Sequence, residues 1–124
     1  MSQDIVADAL NQIMNIKRSG KNVVEIKKHS KLLLSVLAIA KLKGYLKAYK
    51  AEGTKLTVEL GNIHGCKAIK PRYTVSSSEI EKYVKRYLPA KTLGAIIIST
   101  SKGLMSHQTA LEKNLGGSLI AYMY

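Results

Sequence analysis

The sequence predicts an α+β protein of two small lobes, each with helices packed on a short, mostly antiparallel sheet. Three observations carry that expectation. Apolar residues recur at helical spacing in some stretches and at alternate positions in others, in the order helix, strand, helix, hairpin, then helix and two separated strands. A glycine-containing connection, Gly61 to Pro71, separates two independent periodicities, which assigns residues 1–70 to an N-terminal lobe and 71–124 to a C-terminal lobe. Finally, 46% hydrophobic content in 124 residues is enough for packed cores and argues against a disordered chain.

In the first lobe, Val6, Ala9, Leu10, Ile13 and Met14 fall on one face of a helix from Asp4 to Arg18, with Asp8, Asn11, Gln12 and Asn15 opposite. Asp4 lies in its first turn, Lys17 and Arg18 in its last, and Gly20 beyond, an arrangement that suits the helix dipole and supplies a stop. A short strand follows over Asn22 to Ile26. Ser30 caps a second helix, Lys31 to Lys43, which is apolar on most faces and ends at Gly44, so burial between a sheet and another helix is expected. Leu46 to Leu60 reads as a hairpin: Leu56, Val58 and Leu60 alternate with Lys55, Thr57 and Glu59, and Glu52, Gly53 and Thr54 make the turn.

The second lobe opens on Arg72 to Val75, a short strand or extended link. Ser78 and Glu81 form a capping box before Ile80, Tyr83, Val84 and Tyr87, with Lys85 and Arg86 in the last turn and Pro89 as the stop. Ala95 to Ile98 is an apolar strand that runs into Ser99, Thr100, Ser101 and Gly103, so a hydroxyl edge hangs on a buried strand. Ser106 caps a short helix carrying Ala110 and Leu111, with Gly116 just past its end as the stop. Gly116 and Gly117 lead into a last strand, Leu119 to Tyr124. Between Leu93 and Tyr124 only Lys102, Glu112 and Lys113 are charged, so this surface meets a partner with hydroxyls and bare backbone.

Lys and Arg number 20 against 8 Asp and Glu, a formal charge of +12, and that excess is the electrostatic footprint of a nucleic-acid partner. The excess is concentrated early: residues 1–50 hold ten cations, opposed by Asp4, Asp8 and Glu25 alone. Lys17, Arg18, Lys21, Lys27, Lys28 and Lys31 cluster at element ends and loops, where long side chains reach phosphates without losing a helix face. An anionic membrane surface is the rival partner. Against it, the longest apolar run, Leu32 to Ala40, is broken by Ser35 and too short to span a bilayer, and no secretory signal pattern opens the chain. A single cysteine, Cys66, agrees with a reducing, intracellular compartment.

Motifs for catalysis or cofactors are weak. Ser99 and Lys102 have S-x-x-K spacing, but the companion S-D-N and K-T-G elements and any G-x-S-x-G elbow are missing, which leaves a serine acyl-transfer enzyme as a distant alternative. His64 and Cys66 supply two of the four ligands a structural zinc needs, and His29 and His107 lie far off in sequence, so a buried thiol beside a loop histidine is expected. Gly61, Gly65 and Lys67 lack the spacing of a phosphate loop. No cofactor, metal or small-molecule substrate is expected. Tyrosine is the only aromatic type, with seven copies; Tyr83 and Tyr87 are assigned to the core, leaving base stacking open to the others.

Ser99-Thr100-Ser101-Lys102-Gly103, with Gly116-Gly117 and Ile120-Ala121-Tyr122, resembles the signature of the universal small-subunit ribosomal protein family S-eight. Likeness extends over most of the chain: Ala7-Asp8-Ala9-Leu10 with Asn15 resembles that family's first helix, Ser30-Lys31 the start of its second, and Gly44-Tyr45 its turn. Cys66-Lys67-Ala68-Ile69-Lys70-Pro71-Arg72 and Arg86-Tyr87-Leu88-Pro89-Ala90 look like its archaeal and eukaryotic branch. The resemblance implies a cytoplasmic, ribosome-bound structural protein without catalysis, whose partners are the central domain of small-subunit ribosomal RNA and neighbouring small-subunit ribosomal proteins. It further implies RNA contacts at Ser99, Thr100, Ser101, Gly103, Gly116 and Gly117 in the C-terminal lobe. Lys102 joins that loop, and Lys17, Arg18, Lys27, Lys28 and Lys31 complete the expected RNA-binding set from the charge pattern. Ser118 stands where bacterial members carry an acidic residue, and the hairpin around Gly53 is shorter than usual for the family. The alternative from charge alone is a generic basic nucleic-acid-binding module, which would not prefer structured RNA to duplex DNA.

Overall fold

The computed structural model describes residues 5–27, 29–69, 72–89 and 94–124. The expectations placed on Asp4, Lys28, Lys70, Pro71 and Ala90 lie outside the described residues. The chain is α+β, with antiparallel sheets, and divides into two compact units between Cys66 and Lys67.

The first unit holds α1 (Ile5–Arg18), β1 (Val23–Ile26), α2 (Lys31–Leu42), β2 (Leu46–Glu52) and β3 (Lys55–Leu60). Its sheet has the order β1-β3-β2, with Val24 opposite Val58 and Ile26 opposite Leu56 on the buried face. Val6, Ala9, Leu10 and Ile13 are the buried face of α1, as the periodicity requires. Ser30 accepts from the Leu33 amide at 3.2 Å and caps α2. As expected, α2 packs on both a helix and the sheet, α1 and β2, burying Leu33, Val36, Leu37 and Ala40, while Leu42 at its end stays 85% exposed.

The second unit's sheet has the order β4-β8-β6-β7, from β4 (Cys66–Ala68), β6 (Ala95–Thr100), β7 (Gly103–Ser106) and β8 (Gly117–Met123). The two-residue β5 (Thr74–Val75) also pairs with β8. Strand β4 lies in what the sequence presents as a connection. Strand β7 lies in a stretch to which the sequence assigns no element, between the hydroxyl edge and the Ser106 cap. The helix α3 (Ile80–Tyr87) places Ile80 and Val84 on a core that includes Ile69, Val75, Ile96, Ile98 and Leu119, and α4 (His107–Glu112) contributes Ala110.

The caps of this unit differ from expectation in two places. The capping box is Ser76 with Glu79, not Ser78 with Glu81, because a 3-10 turn, Ser77–Glu79, precedes α3. Glu79 Oε1 accepts from the Ser76 amide at 3.1 Å and from the Ser76 hydroxyl at 2.9 Å, and those bonds, the amide first, hold its carboxyl below the ordinary glutamate value. At the end of α4, the stop is Asn114 at φ +55 rather than Gly116.

His107 completes a ladder that β7 cannot. β7 pairs with β6 only from Ile97 to Thr100, and one residue further the buried Ile96 amide donates to His107 Nδ1 at 3.0 Å. An amide only donates, so Nδ1 is unprotonated and the ring proton sits on Nε2. His107→Leu is therefore expected to leave the Ile96 amide buried without this acceptor, at a cost of about 1–3 kcal/mol in chemical unfolding. Unchanged stability would show that the ring is not the required partner.

Candidate nucleic-acid interface

The hydroxyl edge is built by strand register. Antiparallel pairing of β6 with β8 sets Ser99 opposite Ser118 and Thr100 opposite Gly117, while β5 sets Thr74 opposite Ser118 and Val75 opposite Gly117. Directly paired residues share a sheet face, so Thr74, Ser118 and Ser99 form a row of three hydroxyls across three strands. At a strand spacing of about 4.8 Å that row spans about 10 Å. It lies on the face opposite Val75, Ile98 and Leu119, which belong to the core under α3. Thr74 is exposed, and Ser99 and Ser118 are half-buried.

Beyond the row, β6 and β7 are joined through Ser101 and Lys102, both exposed. The Thr100 hydroxyl is committed to holding this turn: Oγ1 donates to the Gly103 carbonyl at 2.9 Å and accepts from the Lys102 amide at 3.1 Å. Gly103, at φ +110, takes the left-handed position that closes it. Ser101 is thereby left at the tip, its side chain pointing to solvent. The Ser99 and Lys102 pair sits on a strand and an exposed turn in this arrangement.

Gly116 and Gly117 have an internal reason to be glycine. A Cβ on Gly117 would run into the Ser99 carbonyl oxygen, with the Ser99 carbonyl carbon at 2.8 Å and Thr100 Cα at 3.1 Å. On Gly116 it would run into the Val75 carbonyl oxygen and lie 2.8 Å from Ser76 Cα. Neither glycine has a positive φ among the described residues. The pair lets β5 and β6 close on the start of β8, which is what draws the hydroxyl row together.

The basic residues divide into two groups. Lys17 and Arg18 end α1, with Lys21 just beyond, whereas Lys27 lies beside Ile5 at its start and Lys31 opens α2. Fourteen helical residues separate these ends by about 20 Å, so neighbours in sequence serve two separate patches. Lys27 lines a small depression with His29, Gly53 and Thr54, where His29 Nε2 bonds the Gly53 carbonyl at 2.9 Å and ties the hairpin tip to the basic loop. Lys21, Lys27 and Lys31 are exposed, as is Arg18; Lys17 is half-buried.

Several other candidates resolve differently. Tyr83 and Tyr87 are half-buried members of a stack that runs Tyr73, Tyr83, Tyr87, Tyr122, Tyr124, with ring centroids 5.2–6.3 Å apart. Tyr83, Tyr87 and Tyr122 each have two other rings as neighbours, and the Arg86 guanidinium lies over the Tyr87 ring, 5.5 Å from its centroid. Cys66 is buried, its thiol donating to the Leu10 carbonyl at 3.6 Å, and burial pushes it up to about 12, whereas His64 is exposed. No group of metal-ligating side chains is present among the described residues. Sequence reasoning gives Thr74, Ser76 and Ser77 no place at the site, yet Thr74 pairs with Ser118 and Ser76 lies against Gly116. The triple serine is itself a visible signal.

A model of the family described as ribosomal protein S8 matches residues 4–124. The chain is 43% identical over 129 residues to the small ribosomal subunit protein uS8 of Nanoarchaeum equitans, with all of both chains covered. It is 45% identical over 129 residues to the small ribosomal subunit protein uS8 of Archaeoglobus fulgidus, again with all of both chains covered.

Proposed function

The chain belongs to the ribosomal protein S8 family, and from that membership we propose that it is a structural constituent of the small ribosomal subunit which binds the central domain of small-subunit ribosomal RNA and supports its assembly. Its partners are that RNA and neighbouring ribosomal proteins, and its place is the cytoplasmic ribosome. The observation that supports this best is the three-strand hydroxyl row with the Ser101 tip beside it, nearly free of charge in a protein of net charge +12. The minor groove of an RNA helix is wide, shallow and lined with 2′-hydroxyls, and small hydroxyl side chains on a flat sheet end can meet it closely.

Within this reading the C-terminal lobe, residues 71–124, reads the RNA through Ser99, Ser101, Lys102 and Gly103. Thr100 shapes the turn, and Gly116 and Gly117 shape the sheet beneath it. Lys17, Arg18, Lys27, Lys28 and Lys31 supply sequence-independent attraction to phosphates, and Lys17 with Arg18 lies in a separate patch from Lys27 with Lys31. No step of this function makes or breaks a covalent bond.

Crosslinking the protein to RNA in cells and sequencing what is attached tests the reading. Fragments should concentrate in one stem of small-subunit ribosomal RNA. Fragments spread over many unrelated RNAs, or equal recovery of DNA, would favour the generic nucleic-acid module instead.

A further inference from the structure

Three helices of this chain end in the same hydrogen-bond pattern, and one of them ends on the wrong residue for economy. After α1, Gly20 donates to the Lys17 carbonyl and Lys21 to that of Ile16; after α2, Gly44 donates to Lys41 and Tyr45 to Ala40. After α4, Asn114 donates to the Leu111 carbonyl at 3.2 Å and Leu115 to that of Ala110 at 2.9 Å. All three are Schellman endings, in which the residue after the cap takes a left-handed backbone. Glycine does so freely at Gly20, φ +83, and Gly44, φ +85, whereas Asn114 at φ +55 carries a side chain into that region.

That side chain has a task the glycines lack. Asn114 Oδ1 accepts from the Ser77 hydroxyl at 2.7 Å, across 37 residues of sequence. Two residues before Ser77, Val75 pairs with Gly117; two residues after Asn114 comes Gly116, where a Cβ would run into the Val75 carbonyl and Ser76. The bond thus closes a ring of chain around the glycine pair, on the flank opposite the Ser99 to Gly103 tip. We infer that Asn114 is a positioning residue: with Ser77 it clasps the 3-10 turn to the start of β8 and so fixes the hydroxyl row of Thr74, Ser118 and Ser99 for RNA. This rests on the RNA-binding reading given above.

A helix stop and a clasp respond differently to Asn114→Gly. Glycine keeps the left-handed ending, so unfolding should be unchanged or slightly harder, while the bond to Ser77 is lost. The test measures dissociation of the full chain from a transcript of the central-domain stem and from a scrambled transcript, at one salt concentration, beside thermal unfolding. Asn114→Gly should leave the cognate stem roughly three to ten times faster, as loss of one positioning hydrogen bond implies, with the scrambled RNA unaffected. Ser77→Ala should match it, the double variant should add little, and Ser77→Thr, which retains a hydroxyl, should restore wild-type dissociation. If wild type prefers the cognate stem and Asn114→Gly prefers it equally, the clasp is overturned and the RNA site stands. If wild type shows no preference, both fall.

Discussion

Gly117→Val is expected to unfold the C-terminal lobe rather than merely weaken an RNA contact. The Cβ position of residue 117 is already occupied by the Ser99 carbonyl, so β6 and β8 must part where Thr100 faces Gly117. Even Gly117→Ala should cost about 3 kcal/mol, the upper range for overpacking, because the obstacle is strand backbone that cannot rotate away. The branched side chain should cost more, a large share of the roughly 5–15 kcal/mol by which a domain is stable. Chemical denaturation followed by far-UV circular dichroism measures this. A Gly117→Ala protein with the wild-type midpoint but lost RNA binding would mean that the glycine instead admits RNA.

The second large effect is expected at Ile98. It is 0% exposed, lies opposite both Met105 and Leu119, and is the last core residue before Ser99. Ile98→Ala should cost about 2–5 kcal/mol through lost burial and the cavity left behind. Unlike Gly117→Val, it removes atoms without forcing strands apart, so the register of Ser99 with Ser118 should persist in the folded fraction. Measured in the cold, where the variant is still folded, its preference for cognate over scrambled RNA should equal that of wild type. A destabilisation under about 1 kcal/mol would show that the core tolerates the cavity and that the strand is anchored elsewhere.

The amphipathic helices were legible because their signals are long: α1 repeats its apolar face over 14 residues, and α3 sets Ile80 and Val84 against Lys82, Lys85 and Arg86. The hairpin of β2 and β3 was legible for the same reason at period two. Strands β4 and β7 were not, since β4 is three residues within a glycine-containing connection and Ser106 is at once the end of β7 and the cap of α4. Both Ser76 with Glu79 and Ser78 with Glu81 satisfy the capping spacing. Pairing of Thr74 and Val75 with β8 decides between them by holding the chain extended up to Ser76. Composition marked Ser99 to Gly103 and the two glycines as one surface, but not that Gly117 faces Thr100, nor that Thr74 continues the row. Those facts reside in register between segments far apart in sequence. Charge counting likewise found the early lysines and could not reveal that Lys17 and Arg18 end α1 while Lys27 lies beside its start.

A titration of wild type, Lys31→Ala and Ser101→Ala against the cognate stem and a scrambled RNA, over a range of salt, tests most directly whether charge sets affinity and hydroxyls set choice. Lys31→Ala should weaken both RNAs alike and lower the salt-dependence slope by about one unit or less. Ser101→Ala should cost on the order of 1 kcal/mol with the cognate stem alone and leave the slope unchanged. Equal weakening of both RNAs by Ser101→Ala, or loss of cognate binding alone in Lys31→Ala, would contradict that division.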